Sequence, residues 1–327
     1  MITAKDFIHL PFIPDLTEGG IAYACRSLNH TYNRMGGSPY ARLRRIVGGV
    51  AVELAFRHYL TSQDVPFDVK GATPFSEPDR YDISLGGHRC DIKSFLITRR
   101  PQICEIRHDP SVLLRAPALI PSDQFAAHTH SGQDLYLFGF LSTLTAASQE
   151  DVRKAFDAGQ PVYLMHAFPR EWSQPNQWTP LGKLALKNED EQTLEVEVGG
   201  QNSEREFITE QVTLPSRKRI ELSGSFYSLA YVHAKGIPSA RIGVHSPEQR
   251  ETYFINKIDW GNIRFYGMDI WLTGFISHEE FRRKASHIAV GSRVFQYNGT
   301  RTKNLGVPVA ELHPLGESLE RVKGWKS

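Results

Sequence analysis

The chain has 327 residues, of which 40% are hydrophobic, 11% aromatic and 23% charged. This composition is typical of a folded globular protein and excludes a disordered or collagen-like chain. The length predicts one elaborated domain or two, and no apolar run approaches the roughly 18 residues of a transmembrane helix. The 38 basic and 36 acidic side chains leave a net charge of +2, which neither requires nor excludes a polyanionic partner.

The N-terminus lacks the basic and apolar segments of a secretory signal, so we expect a cytoplasmic protein that does not contact membranes. The three cysteines, Cys25, Cys90 and Cys104, are too few and too widely spaced for a disulfide framework or a zinc ribbon. We expect them to stay reduced.

Hydrophobic periodicity and turn residues predict a mixed α/β core in the first half of the chain. Residues 1–40 are interrupted by Pro and Gly and should be irregular apart from a short helix. The predicted elements, in chain order, are a short helix near 21–28, a helix over 41–60, strands over 65–69, 81–85 and 88–97, a short helix near Asp123, a strand over 135–141, a helix from Ser148 and a strand over 161–168.

The most informative of these elements is a predicted β-hairpin. Two runs of period-2 alternation, 81–85 and 88–97, flank a Gly-Gly pair at 86–87, which is the pattern of a two-residue hairpin turn. Counting outward from that turn places Asp82 directly opposite Asp91. Two opposed carboxylates destabilise a hairpin, so the pair favours a bound divalent cation.

Two further side chains belong with this pair. Lys93 lies two residues after Asp91 and therefore on the same strand face, and Glu53 is the one carboxylate of the predicted 41–60 helix. Oxygen ligands suit magnesium, which often binds through one or two carboxylates plus water and substrate phosphate. The structural alternatives are that Glu53 is a boundary residue of its helix and that Asp91 and Lys93 form a surface ion pair of little energetic value.

These residues resemble the pattern of the PD-(D/E)XK nuclease superfamily, the restriction-endonuclease-like fold. That pattern is a helix with Gly-x-x-x-Glu, a strand aspartate and a second strand with (Asp/Glu)-x-Lys. Here it corresponds to Gly49 to Glu53, to Asp82, and to Asp91-Ile92-Lys93, and the element order is similar over roughly residues 42–168.

Two details of the resemblance depend on neighbouring residues. The aspartate of the family often follows a proline, so Asp79 after Pro78 competes with Asp82; the hairpin register favours Asp82. Some branches of the superfamily carry a glutamine on the next helix, where this chain has Gln124.

The resemblance implies a restriction-endonuclease-like mixed-sheet core (αβββαβ) and a magnesium-dependent endonuclease, with manganese as a substitute metal. Asp82 and Asp91, with Glu53 and the Ile92 carbonyl, would bind the metal, which polarises the scissile phosphate and generates hydroxide. Lys93 would orient or help deprotonate the attacking water and stabilise the negative charge that develops. The implied substrate is DNA rather than RNA, in restriction or anti-phage defence, with repair or recombination as the alternative role.

Short alternating strands after residue 168 predict a β-rich domain over 169–327, following a nuclease core with an N-terminal extension over 1–168. We expect the second domain to act in substrate recognition or in assembly, and a homodimer is the alternative because many nucleases need two active sites to cut a duplex. The residues expected to contact nucleic acid are Arg44, Arg45, Gln124, Arg217, Lys218 and Arg219, the last three with their aromatic neighbours Phe226, Tyr227 and Tyr231.

The segments Asp134–Ser142 and Asp269–Ser277 resemble each other, and each leads into a helix start capped by a serine, Ser148 or Ser277. Either a partial duplication or two strands with the same packing needs would produce this repeat, and the second is favoured.

Other chemistry is less well supported. His128 and His130 share a predicted strand face without a third ligand nearby, which favours a loop or packing role over zinc binding. The chain has neither a nucleotide-binding P-loop nor a Gly-x-Ser-x-Gly elbow. A catalytically silent nucleic-acid-binding or assembly module of the same fold is the alternative to an enzyme, and the opposed carboxylates, which cost stability when unfilled, argue against it.

Overall fold

The structure, a computed structural model, describes residues 2–31, 39–69, 82–127 and 131–324. Its helices within these ranges are α1 Pro14–Thr31, α2 Pro39–Ser62, α3 Arg100–His108, α4 Ser122–Ala127, α5 Gln149–Asp157, α6 Arg170–Ser173, α7 His278–Lys284 and α8 Leu315–Gly324. Its strands are β1 Ile8–Pro11, β2 Phe67–Asp68, β3 Ile83–Leu85, β4 His88–Ile97, β5 Pro117–Pro121, β6 Leu135–Thr145, β7 Leu164–Ala167, β8 Ala185–Asn188, β9 Leu194–Gln201, β10 Phe207–Leu214, β11 Arg219–Glu221, β12 Ser228–Ala234, β13 Ile242–Ser246, β14 Glu251–Ile255, β15 Gly261–Asn262, β16 Phe265–Ser277, β17 Ser286–Ile288 and β18 Asn304–Pro308.

The chain forms two compact units, and both are assembled from separate segments. The first comprises residues 1–20, 48–144 and 266–327, and the second comprises 21–47 and 145–265. This division does not coincide with the boundary expected at residue 168, because the last 62 residues return to the first unit. The local sequence pattern does not predict that these residues join the first unit, because the arrangement depends on strand pairing between distant segments.

The first unit contains a six-stranded mixed sheet with the order β1-β16-β6-β4-β3-β2 and a three-stranded sheet with the order β17-β18-β5. Strands β4 and β6 run parallel, as a connection through helices allows, whereas β3 and β4 form an antiparallel hairpin. The mixed α/β class is therefore confirmed. The long aromatic side chains on one face of β4 and β6, among them Phe95, Phe138 and Phe140, are buried in the core of this unit.

The expected hairpin is present with the expected register near its turn. Leu85 pairs with His88, and Ile83 pairs with Cys90. Gly86 and Gly87 have φ angles of 53° and 80°, a left-handed geometry that glycine adopts without steric cost and that a type I′ turn requires at both positions. The hairpin prediction is confirmed for these pairs.

Most of the other predicted elements of the first half are present. The helices expected over 41–60, near Asp123 and from Ser148 correspond to α2, α4 and α5, and the strand expected over 135–141 corresponds to β6. The short helix near 21–28 is the longer α1, and α3 and β5 were not predicted. The strand expected over 161–168 is β7, which pairs with β12 in the second unit rather than extending the sheet of β4.

The two similar segments of the sequence form neighbouring strands, β6 and β16, of the six-stranded sheet. Each is followed by a helix whose N-cap serine accepts a hydrogen bond from a backbone N–H of the first turn: Ser148 from Asp151, and Ser277 from Glu280. The two strands are thus neighbours in one sheet, but β6 is buried along most of its length whereas β16 includes several half-buried residues. The explanation favoured by the sequence, shared packing needs, stays a prediction.

The second unit contains a five-stranded sheet with the order β10-β9-β12-β7-β15 and a four-stranded sheet with the order β11-β8-β13-β14. All strand pairs with a known register in these two sheets are antiparallel. The β-rich texture expected after residue 168 is therefore confirmed up to about residue 265, where the second unit ends.

Helix α2 packs closely on the six-stranded sheet at a contact that contains Gly139 of β6 and Gly49 of the helix. A Cβ added to Gly139 of β6 would lie 3.2 Å from side-chain atoms of both Val52 and Leu272, whereas a Cβ on Gly49 of α2 would lie at an ordinary 3.6 Å from Ser94 Oγ. The approach of helix to sheet thus depends on Gly139 more than on Gly49.

We therefore expect Gly139→Val to lower the free energy of unfolding by about 1–3 kcal/mol through overpacking. Gly49→Ala should instead raise it by up to about 1 kcal/mol, because it replaces glycine in a helix interior without a clash. Urea unfolding of both variants measures the two changes, and equal destabilisation by both would contradict this account of the contact.

Candidate functional site

Asp91 and Lys93 form a shielded ion pair on strand β4. Lys93 Nζ lies 2.7 Å from Asp91 Oδ2, and the two side chains are only 17% and 14% exposed. Their neighbours across the parallel ladder are Tyr136 and Phe138 of β6. The pair is thus partly buried against an aromatic floor, unlike an ordinary surface ion pair, and the expectation that both side chains share one face is confirmed.

Asp82 approaches the same strand, but not by the backbone pairing expected from the register. Its N–H donates to the Cys90 carbonyl at 3.0 Å, so the chain bends at Asp82 and the expected pair with Asp91 does not form. Its Oδ2 instead accepts the Ile92 N–H at 2.6 Å. The carboxylate therefore accepts a backbone hydrogen bond from β4 just outside the β3–β4 ladder, at the residue that precedes β3.

The Ile92 carbonyl shares this environment. The N–H and C=O of one strand residue point to the same edge of the strand, so the carbonyl of Ile92 is directed to the side on which Asp82 lies. A backbone oxygen and a carboxylate therefore lie at the same edge of β4.

Helix α2 contributes Glu53 and, one turn later, Arg57. Arg57 Nη2 lies 3.8 Å from Glu53 Oε2 and donates to the Asp82 carbonyl at 3.2 Å. Arg57 therefore connects the helix to the chain at Asp82. Sequence reasoning missed it, although its i,i+4 spacing from Glu53 places both on one helical face.

The environment of the Asp82 carboxyl group perturbs its pKa. The residue keeps some exposed surface, but its carboxyl group is enclosed, and burial followed by the negative charges of Glu53 and Asp91 raises its pKa well above the usual range. The hydrogen bond from Ile92 and the charge of Lys93 oppose this rise without cancelling it. The negative charges of Glu53 and Asp91 are thus close enough to act on the Asp82 carboxyl group through poorly solvated space.

The donor set suits a hard divalent cation only in part. Within the residues that the structure describes, no three carboxylate, imidazole or thiol groups converge into a ready-made metal site. Asp82 and Asp91 each have one oxygen engaged, by Ile92 and Lys93 respectively. Two carboxylates and a backbone carbonyl still match magnesium, which retains several waters, and unneutralised negative charge favours a cation. Asp82, Asp91 and the Ile92 carbonyl, with help from Glu53, would hold the ion.

Gln124 also reaches this site. Helix α4 places its Oε1 3.4 Å from Lys93 Nζ. The next residue, Phe125, stacks on His278 with ring centroids 4.6 Å apart, and His278 in turn lies 5.7 Å from the ring of Tyr136. Burial, together with the charges of Asp91 and Asp134, raises the pKa of Tyr136. Nothing in the sequence marked Tyr136 or His278, because their approach requires the fold.

The other basic residues expected to bind nucleic acid have different environments. In the second unit, Arg44 Nε donates to the Asn262 carbonyl at 2.9 Å and its pKa is lowered by burial; Arg45 is half-buried. Arg217 forms an exposed ion pair with Glu191, while Lys218 and Arg219 are exposed. The Arg44 side chain thus hydrogen-bonds to the backbone of its own unit.

The expected aromatic neighbours of this run are mostly unsuited to stacking on bases. Phe226 is 1% exposed and Tyr231 is 2% exposed, and the Tyr231 hydroxyl donates to Glu197 at 2.6 Å. The prediction that these two side chains contact nucleic acid is therefore wrong, because both belong to the core of the second unit. Tyr227 is half-buried. Asp79, His128 and His130 lie outside the described residues.

Comparisons of this chain with family models, with curated proteins and with solved structures find no match. In the described part of the chain, no helix is both long and apolar enough to cross a membrane.

The raised pKa of Asp82 predicts a pH-dependent stability difference. Its carboxyl binds a proton more tightly in the folded state, so the folded protein loses stability as the pH rises from the usual aspartate range through the raised pKa. Asp82→Asn keeps an acceptor for the Ile92 N–H and has no such charge. In metal-free buffer we expect the variant to gain thermal stability over wild type as the pH rises.

Melting temperatures of both proteins between pH 4 and pH 8 measure this difference. A wild-type advantage that grows toward pH 8 would show that ionised Asp82 stabilises the fold and would contradict the assignment. Asp157→Asn, at an exposed position of α5, is a control for loss of one negative charge.

Proposed function

We propose that this chain is a magnesium-dependent endonuclease of restriction-endonuclease-like fold that hydrolyses phosphodiester bonds in DNA. The observation that carries the proposal is the meeting of Asp82, Asp91 and Lys93 at one edge of β4, with Glu53 close enough to act on the same carboxyl group. Carboxylates this close to one another repel unless a cation neutralises them.

The arrangement of elements supports the same proposal. Helix α2 carries Glu53, the hairpin β3–β4 carries the two aspartates and the lysine, α4 follows with Gln124, and β6 returns parallel to β4. This order supports the αβββαβ core implied by the resemblance, with β2, β3, β4 and β6 in one sheet, although α3 and β5 are inserted between β4 and α4. Restriction or anti-phage defence is the role that the family resemblance favours, with repair or recombination as the alternative.

The roles of this chain's own groups follow from their contacts. When bound, magnesium would polarise the scissile phosphate and lower the pKa of a coordinated water. Lys93 is held by Asp91 and Gln124, so its ammonium is fixed where it would orient the attacking water and stabilise charge on the phosphorane. Tyr136 and Phe138 beneath it exclude bulk solvent and so strengthen each of these electrostatic contacts.

We expect purified protein to nick supercoiled plasmid in magnesium and not in EDTA. Asp91→Asn should abolish both the cleavage and the magnesium-induced rise in melting temperature, because a ligand that binds only the folded state stabilises it. Asp157→Asn should retain both. Cleavage by the Asp91→Asn variant at the wild-type rate would exclude this site from the reaction.

Lys93→Ala separates catalysis from metal binding. We expect single-turnover cleavage to fall by at least about a hundredfold, as for loss of one preorganised charge-stabilising group. The magnesium-induced thermal shift should persist or grow, since the variant removes a positive charge beside Asp91. A cleavage rate within a few-fold of wild type would remove this lysine from the mechanism.

A further inference from the structure

The segment 281–310 contains no Asp or Glu, although acidic residues flank it at Glu280 and Glu311. Its basic side chains are Arg282, Arg283, Lys284, Arg293, Arg301 and Lys303. We call residues 281–310 the basic segment. Because the whole chain carries a net charge of only +2, the remainder is net acidic and the positive charge is concentrated here.

The cations of the basic segment are exposed and mostly unpaired. Lys284 pairs with Glu280 at 2.8 Å, but the other five form no ion pair with any described residue. Exposed cations elsewhere are commonly matched, as Lys154 is by Glu150 and Lys235 by Glu195. Exposed cations that have no counter-charge among the described residues favour an external polyanion.

The backbone that carries these cations is held in place. Between β17 and β18 the Gly291 N–H donates to the Thr300 carbonyl at 2.8 Å, and Thr300 Oγ1 donates to the Ala289 carbonyl at 2.6 Å. Gln296 Nε2 donates to the Pro117 carbonyl of β5 at 2.7 Å. A preorganised loop loses little conformational entropy on binding. This property favours a role as a binding surface over a role that only keeps the protein in solution.

This surface borders the candidate site through helix α4. The Ser122 N–H at the start of α4 donates to the Lys303 carbonyl at 3.0 Å, and Gln124 of the same helix contacts Lys93. On the other side, Phe125 stacks on His278 of α7, the helix that ends in Arg282, Arg283 and Lys284. Lys303 and the helix that carries Arg282, Arg283 and Lys284 therefore both adjoin α4, whose Gln124 contacts Lys93.

We propose that the basic segment binds the phosphate backbone of double-stranded DNA and holds it against the candidate site. The choice of partner rests on the proposed function, since a phosphodiesterase must retain the charged backbone on both sides of the scissile bond. Such binding requires no recognition of bases, because phosphate contacts position a duplex without reading its sequence.

The segment favours a duplex over a single strand. Its aromatic residues Phe295 and Tyr297 are half-buried and pack against the core, with Tyr297 edge-on to Phe95 at 6.4 Å between centroids. Single-strand binding proteins instead expose aromatic side chains on which bases stack. An anionic membrane is a weaker fit, because Val290 is the one large hydrophobic side chain of the segment that is exposed, and interfacial binding needs more apolar area.

The decisive experiment measures how DNA affinity depends on salt. The test variant is Arg293→Ala, Arg301→Ala and Lys303→Ala together. The control removes three exposed cations of the second unit, by Arg153→Ala, Arg170→Ala and Lys257→Ala. A third variant replaces Arg217, Lys218 and Arg219 with alanine and tests the rival surface. The probe is a fluorescent 25-base-pair duplex with calcium in place of magnesium, read by anisotropy from 50 to 300 mM salt.

Each phosphate contact adds about 0.9 to the slope of log affinity against log salt. We expect the test variant to flatten the slope by about 2–3 and to bind at least about tenfold more weakly, while the control changes the slope by less than about 0.5. The wild type should bind the duplex more tightly than a single strand of the same sequence.

Equal slopes for the test and control variants would overturn the inference, as would a flattened slope confined to the Arg217–Arg219 variant. Wild-type protein that binds phosphatidylserine vesicles but not DNA would also overturn it. These outcomes are separate from the plasmid assay, which decides the proposed function: cleavage with unchanged slopes refutes the surface alone, and slope loss without cleavage refutes the nuclease alone.

Discussion

The hydrogen bond from the Ile92 N–H to the Asp82 carboxylate is the contact on which the candidate site depends. It brings a carboxylate to the edge of β4 beyond the last pair of the β3–β4 hairpin. It also partly offsets the cost of burying that group beside Asp91 and Glu53, since a backbone donor stabilises the charged form. The Cys90 carbonyl and Arg57 hold the backbone of Asp82, and the contact with Ile92 fixes the position of its carboxylate.

That contact in turn depends on the hairpin register and on the helix above the sheet. A slip of one residue in β4 would move Asp91 and Lys93 to the opposite face, so the two turn glycines decide which side chains face the site. Helix α2 can bring Glu53 and Arg57 near Asp82 because Gly139 admits it close to the sheet. Local turn geometry and one tight helix–sheet contact therefore determine the site together.

Local sequence pattern predicted the elements of the site better than their connections. The hairpin, α2 and the shared face of Asp91 and Lys93 follow from periods of 2 and 3.6 residues and from a Gly-Gly turn, which act within a few residues. The bend at Asp82, the Arg57 bridge and the approach of His278 to Tyr136 depend on residues far apart in the chain. The same limit explains why β7 was assigned to the wrong sheet and why residues 266–327 were separated from the unit that they complete.

Under the proposed function, the charge distribution has a further consequence for the order of events. Although the net charge of the chain is close to zero, its first unit contains both a partly buried group of carboxylates and the exposed basic segment. A phosphate cannot approach the carboxylates before a cation neutralises them, whereas the exposed segment attracts the DNA backbone without that step. Salt screens exposed charges over about 8 Å at physiological ionic strength and buried ones much less. Ionic strength should therefore control how much DNA is bound, while the buried site determines how fast bound DNA is cut.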